Sequence, residues 1–127
     1  MKTILFVCRG NRYRSRIAEE IFNSRAPKGF VAKSAGIHYQ RWNDRAVPIA
    51  LREIGIEMSK RKPKQATKKM LNSASRIIIF DGVKISGNAE VWPVRDSHAG
   101  DLKDIRKGRN EIEKRVKALV KSLGRSS

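Results

Sequence analysis

A single cysteine, Cys8, occurs among 127 residues, so no intramolecular disulfide can form and no multi-cysteine zinc site exists. Long apolar runs are missing too. The run over residues 4–7 is too short for a signal-peptide core, and Arg9, Arg12, Arg14 and Arg16 follow it at once. No stretch approaches the roughly 20 apolar residues of a membrane span. These shortages lead us to expect no membrane association and a reducing, cytoplasmic setting. Internal repeats and Gly/Ser linkers are also lacking, which points to one compact domain over residues 1–127. Acidic residues are the last shortage: 12 Asp and Glu stand against 29 Lys and Arg, a net charge of +17. Such an excess favours an anionic substrate or partner and says nothing about fold.

What is present is an ordinary globular composition, 39% hydrophobic and 32% charged. The positive charge comes in blocks. Residues 1–16 hold five basic and no acidic residues, and residues 59–70 hold six and none. Residues 101–127 hold nine against four, while the remaining segments nearly balance. Between the blocks, strand and helix patterns alternate. Residues 3–7 read as a buried strand, and Ile17, Ala18, Ile21 and Phe22 as the apolar face of a helix starting at Ser15 and stopping before Pro27. Residues 30–34 form a second predicted strand, ended by Ala35-Gly36. Asp44 caps a predicted helix that buries Val47, Ala50, Leu51 and Ile54 and closes at Gly55.

The 59–70 block reads as a loop and a short helix. By topology it is expected on the side away from the ligand-binding end. Residues 76–81 are a third strand and residues 89–94 a fourth, with Pro93 placing the fourth at an edge. A last helix carries Ile112, Val116, Leu119, Val120 and Leu123, with Gly124 just past its end. The expectation is an α/β fold: a three-layer domain with a four-stranded parallel sheet, helices on both faces, and a phosphate-binding loop after the first strand.

That loop, Cys8-Arg9-Gly10-Asn11-Arg12-Tyr13-Arg14-Ser15, sits at the carboxyl end of a strand where open α/β sheets bind ligands. Successive N–H groups turned inward, together with a helix start, make a seat for a phosphate-sized anion. Gly10 relieves a sharp bend, and Asn11 tolerates a left-handed conformation. Amide dipoles, the helix start and Arg14 all favour a thiolate at Cys8. Arg14 offers a planar fork for two equatorial phosphoryl oxygens. Ser15 can cap the helix or donate its hydroxyl to the Cys8 sulfur. Arg9, Arg12 and Arg16 are expected to ring the pocket.

With these residues the chain resembles the low-molecular-weight protein tyrosine phosphatases and related arsenate reductases, whose loop reads C-x-G-N-x-C-R-S-P. Ala18-Glu19, Ser34-Ala35-Gly36, residues 51–59, residues 74–81 and Trp92-Pro93-Val94-Arg95-Asp96 extend the resemblance in family order. The resemblance implies Cys8 as the nucleophile, and Arg14 with the loop backbone (Arg9, Gly10, Asn11, Arg12, Tyr13) as the phosphoryl cradle. It implies Ser15 as the partner of the thiolate and Asp96 as the general acid, with neither metal nor cofactor. Trp42 is implied as a stacking wall for the substrate; His98, where the family has a tyrosine, can itself border the pocket, since imidazole can stack or bond an anion.

Three departures stand out. Tyr13 replaces the family's second loop cysteine, Arg16 replaces its proline, and Asp96-Ser97-His98 stands where Asp-Pro-Tyr is usual, leaving Asp101 and Asp104 as substitute acids. The implied activity is hydrolysis of phosphotyrosine in proteins or of small aryl phosphates. The alternatives are arsenate reduction with an external thiol, or a phospho-ligand or nucleic-acid binding module. Nucleic acid has no motif of its own here beyond the charge. A sugar-transport phosphocarrier shares the strand–cysteine–loop layout but has no need of the Arg14 clamp.

Overall fold

Residues Ile4 to Cys8 of β1 (Lys2–Cys8) are almost wholly shielded from solvent. A strand covered on both faces cannot alternate polar with apolar residues, which explains the unbroken apolar run. In the computed structural model, which describes residues 1–125, β1 lies between β2 (Phe30–Gly36) and β3 (Arg76–Phe80). A short edge strand, β4 (Glu90–Trp92), completes a sheet of order β2-β1-β3-β4 with every neighbour parallel. Register places Cys8 opposite Gly36 and Val7 opposite Ile79. β4 is at the edge as expected, but it ends at Trp92, so Pro93 lies just past the strand and not within it.

Parallel neighbours need crossovers. Helix α1 (Arg14–Ser24) links β1 to β2, and α2 (Ala46–Arg52) with α3 (Lys68–Ser73) links β2 to β3. Helix α4 (Leu102–Arg125) follows β4. One sheet face presents Ile4, Phe6 and Cys8 to α1, α2 and α4; the other presents Leu5 and Val7 to Met70 and Leu71 of α3. Phe6, Phe22, Phe80 and Trp92 interlock on the first face, with Phe6 and Trp92 centroids 5.5 Å apart. Burying aromatic side chains of this size contributes roughly 1.5–3 kcal/mol each. No helix among the described residues is long and apolar enough to cross a membrane.

Three further expectations need correction. Helix α4 starts at Leu102, well before its apolar face becomes continuous at Ile112, and Gly124 lies inside it. Leu102 and Ile105 are the only large apolar residues over 102–111, so periodicity is weak there. Tertiary contacts hold this part instead: Arg109 donates to the Ala50 carbonyl and pairs with Glu53 of the α2 C-cap. Arg106 reaches the same carboxylate, and the hydrogen bonds from Arg106 and Arg109 hold the Glu53 carboxyl down at about 2.

The 59–70 block, in turn, does not lie away from the loop end of the sheet. The Gly36 N–H donates to the Lys64 carbonyl and the Ala66 N–H to the Gly36 carbonyl, so residues 64–66 run beside the end of β2. The seven residues of α2 advance only about 10 Å, and the irregular stretch after it brings the chain back to the same end. Arg16, third, does not ring the pocket. It is fully buried and donates to the Ser59 and Arg61 carbonyls and to Asn43 Oδ1, clamping the returning stretch to α1.

Gly108 sits in α4 directly against Tyr13. A Cβ there would lie 1.5 Å from Tyr13 Oη and 2.8 Å from its Cζ. Glycine inside a helix costs about 1 kcal/mol relative to alanine, so close approach of the tyrosine is what keeps it there. Gly108→Ala should therefore lower stability by about 1–3 kcal/mol despite the gain in helix propensity. Gly124→Ala, where a Cβ meets no heavy atom within 4 Å, should be neutral or slightly stabilising. Urea midpoints of the two variants decide this, and a Gly108→Ala midpoint at or above wild type would refute it.

Candidate active site

The chain leaves β1 at Cys8 and enters α1 at Arg14, and the turn between them is set by two neighbours. Carbonyls of Cys8, Arg9 and Gly10 accept from the N–H groups of Ile37, His38 and Gln40. Among the described residues, no hydrogen bond uses the backbone N–H of residues 9–13. Carbonyls outward and amides inward is the arrangement an anion cradle needs. Gly36 permits it, because a Cβ at that position would lie 2.6 Å from the Arg9 carbonyl oxygen and 2.9 Å from the Asn11 nitrogen. At Gly10 a Cβ would lie 2.9 Å from Cγ of the exposed Gln40 side chain, which can turn away, and the left-handed residue is Asn11, at φ 57°.

Asn11 is wholly buried and its side chain orders the rest. Oδ1 accepts from the Lys64 N–H at 3.0 Å and from Arg61, which fixes the orientation of the amide. Nδ2 then donates to Ser15 Oγ at 2.8 Å and to Ser34 Oγ at 2.9 Å. Ser15 Oγ, which accepts from Asn11, is hydrogen-bonded to Cys8 Sγ 2.9 Å away, and with Cys8 as a thiolate the hydroxyl would be the donor. Ser34 donates onward to Glu19, and Glu19 and Ser34 are both gripped by Arg61. Sulfur, hydroxyl, amide and ion pair thus form one connected network, with the Asn11 amide donating toward Cys8 through Ser15 and toward Glu19 through Ser34.

Arg14 is buried at the start of α1. Its Nη1 donates to the Asp81 and Val94 carbonyls at 2.8 Å each, and its guanidinium lies 5.7 Å from the Phe80 centroid. Its Nη2 is 3.7 Å from Asp96 Oδ2. Buried Nε atoms of Arg14 and Arg12 have no hydrogen-bond partner. An unmatched buried donor is costly; of the two, Arg12 lines the Cys8 cavity, while Arg14 is buried and not part of that lining. Cys8, Arg9, Gly10, Arg12, Tyr13 and Asp96 line a cavity of about 170 Å³, sized for a phosphoryl group and part of what carries it.

Other expected residues fall elsewhere. Trp42 does not line this cavity; it stands 60% exposed beyond the 40–44 loop, in a groove of its own. His98 lines a larger neighbouring cavity of about 770 Å³, which shares Tyr13, Asp96 and Ser97 with the first. Of the substitute acids, Asp104 lines that larger cavity, while Asp101 accepts from the Asp104 N–H at the start of α4. Asp96 is therefore the carboxylate at the Cys8 cavity that stays half exposed.

Sequence reasoning missed the second carboxylate there. Asp44 does cap α2 through the Ala46 N–H, as expected. It also accepts from the Gly100 N–H and lies 3.7 Å from Arg12, so it ties the post-β4 loop to the cradle. A capping aspartate gives no sign in sequence of a partner 56 residues away. Among the described residues, no cluster of His, Cys, Asp or Glu is arranged to hold a metal.

Tyr13, in place of a second cysteine, is buried between the cavities and Gly108. Burial pushes its phenol up from 10.0 to about 12, with Arg14 pulling the other way. A phenol that holds its proton more tightly when folded stabilises the fold fully below pH 10, and that advantage is lost as pH rises toward 12. The difference amounts to about 2–3 kcal/mol. Urea unfolding at pH 8 and pH 11.5 should show wild type losing more stability than Tyr13→Phe by about that amount. Equal losses would place the phenol in water.

Comparison with known proteins agrees with this geometry. Residues 3–91 match the family model for low molecular weight phosphotyrosine protein phosphatases. An arsenate reductase from Brevibacillus brevis is 29% identical over 129 residues, covering 95% of this chain and 96% of that protein. The crystal structure of an arsenate reductase from Archaeoglobus fulgidus superposes with a TM-score of 0.79 at 32% identity, covering 92% of this chain and 98% of the other. The YwlE arginine phosphatase from Geobacillus stearothermophilus shares the fold at a TM-score of 0.84 and 23% identity, over 99% of this chain and 95% of the other. This chain belongs to the low molecular weight phosphotyrosine protein phosphatase family, a family of phosphatases and arsenate reductases.

Proposed function

We propose that the protein hydrolyses phosphomonoesters through a phosphocysteine, with phosphotyrosine in proteins or small aryl phosphates as substrate. The observation that carries this is the hydrogen bond between Cys8 Sγ and Ser15 Oγ at the end of β1, beside a loop of N–H groups that have no backbone partner. A phosphoryl group seated there would have its oxygens on the amides of residues 9–13 and on the Nε of Arg14 and Arg12. The Cys8 thiolate attacks phosphorus, the bond to the leaving oxygen breaks, and Asp96 gives that oxygen a proton. Water then attacks the phosphocysteine, giving its proton to Asp96, and the Cys8 thiolate leaves with Ser15 donating to it. Charge on the equatorial oxygens is met by fixed donors, and that preorganisation supplies most of the rate.

The lining charge bears on the leaving group. Arg9 and Arg12 face the cavity, and Asp44 is engaged with Ala46, Gly100 and Arg12. A guanidinium leaving group, as in arginine phosphate, would meet this positive rim, so an aryl oxygen suits the site better.

The likeness to arsenate reductases supports a second reading. Arsenate has the shape and charge of phosphate, and Cys8 attack would form the corresponding thiolate adduct. With no other cysteine in the chain, reduction of As(V) to As(III) takes its two electrons from an external low-molecular-weight thiol, which ends as a disulfide. Arsenate-dependent consumption of that thiol by the purified protein tests it.

For the leading proposal, wild type should release nitrophenol from p-nitrophenyl phosphate with no added metal. Cys8→Ser should abolish turnover, and Arg14→Ala should lower kcat by about 10²–10³. Asp96→Asn should cost about 10²-fold or more and remove one limb of the pH profile. No nitrophenol from wild type across pH 5–8 would sink the proposal, and an unchanged Asp96→Asn profile would take the acid role from Asp96.

A further inference from the structure

Of the basic block at 59–70, Arg61 and the Lys64 backbone brace the loop under Cys8, whereas Lys60 and Lys62 have no part in the site described above, yet lie at the same end of the sheet. A groove of about 470 Å³ opens between the 40–44 loop and residues 57–62. That loop divides two sites: Gln40 and Asp44 line the Cys8 cavity, whereas Trp42 and Asn43 line the groove. Trp42 is 60% exposed, an unusual position for the largest apolar side chain. Lys62 Nζ sits 4.9 Å and the Arg41 guanidinium 5.5 Å from its ring centroid. Among the described residues, Arg41, Lys60 and Lys62 take part in no ion pair; the one acid lining the groove, Glu57, is paired with Arg52. Pro48 and Met58 supply apolar wall. The base is held firmly, since buried Arg16 and Asn43 fasten the Ser59 and Arg61 backbone.

We propose that this groove docks an acidic segment of the protein substrate, a few residues from the phosphorylated side chain seated over Cys8. The proposal rests on the phosphatase reading and names its substrate class: phosphoproteins with Asp or Glu flanking the phosphotyrosine. Carboxylates would pair with Arg41, Lys60 and Lys62 beside Trp42, and an apolar side chain between them would lie on Pro48 and Met58. Single-stranded nucleic acid fits less well, because two cations already lie over the ring on which a base would stack.

The test compares kcat/KM for two phosphotyrosine peptides of equal length, one flanked by Asp and Glu and one by Ser and Gly, with p-nitrophenyl phosphate as reference. At low ionic strength wild type should prefer the acidic peptide about tenfold, mostly through KM, and 0.5 M salt should erase most of the preference. Lys60→Glu with Lys62→Glu should remove it and leave p-nitrophenyl phosphate turnover within about twofold, as no lysine there touches the reacting atoms. Lys114→Glu with Lys121→Glu, the same charge change on exposed positions of α4, should leave the preference in place.

A wild-type ratio near one, a ratio that survives the first double variant, or an equal collapse in the second would each overturn the proposal. So would displacement of the acidic peptide by single-stranded RNA at lower concentration than by a second acidic peptide. Should wild type hydrolyse nothing, the phosphatase reading fails, and docking is read separately from Trp42 fluorescence on titration with the unphosphorylated acidic peptide. A response weakened at least tenfold by Lys60→Glu with Lys62→Glu supports docking, and no response in wild type overturns it.

Discussion

Every part of the site depends on how one amide is held. Asn11 is the only non-glycine residue among those described with a positive φ, and its side chain uses its full hydrogen-bonding capacity. Two donors go to Ser15 and Ser34, and two acceptor positions go to Lys64 and Arg61. Aspartate lacks the donors, and leucine would leave the Lys64 N–H unmatched. Because that amide joins the loop, α1, β2 and the returning stretch, it turns four separate pieces of chain into one rigid floor under Cys8. Inside a protein such a fully matched network is stiff, and stiffness is what a cradle of fixed donors requires.

The excess of positive charge divides along the same lines. Arg14, Arg16 and Arg109 are buried multi-armed donors, Arg14 and Arg16 to two backbone carbonyls each and Arg109 to the Ala50 carbonyl, Glu53 and Asn110, a task suited to a planar guanidinium and not to lysine. Burial, with Arg61 nearby, draws the Arg16 guanidinium below its ordinary value, while Glu20 and Glu19 support its charge. Arg9 and Arg12 give the cavity its sign. Lysines at 60 and 62 stay in water. A total of +17 thus conceals three physical roles: internal bracing, the anion pocket, and free surface charge that can act at longer range.

Residues that are close in sequence were the most legible. Cys8 through Ser15 form a single turn between strand and helix, and residue types in such a turn report its geometry directly. The apolar runs of β1 and β3 and the spacing in α1 were equally plain, because burial on two faces or one leaves a periodic trace. Asp44, Gly36 and Gly108 were not legible as site elements. Their importance comes from partners across the fold, Gly100, Arg9 and Tyr13 respectively, and a lone Asp or Gly carries no sign of a distant neighbour. Trp42 was misplaced for a similar reason, since position in a loop does not say which side of that loop a side chain takes.

By itself the amino-acid sequence determined the alternation of strands and helices, the seat for an anion after β1, and the lone thiol placed in it. Hydrophobic periodicity, turn chemistry and the absence of a second cysteine are local properties, and local properties survive being read in one dimension. Tertiary structure decided which carboxylate stands at the cavity, why Tyr13 needs Gly108, and that the basic stretch returns to the active-site end. Those outcomes turn on how far a short helix such as α2 carries the chain before it folds back. Distances of that kind arise only when the layers pack.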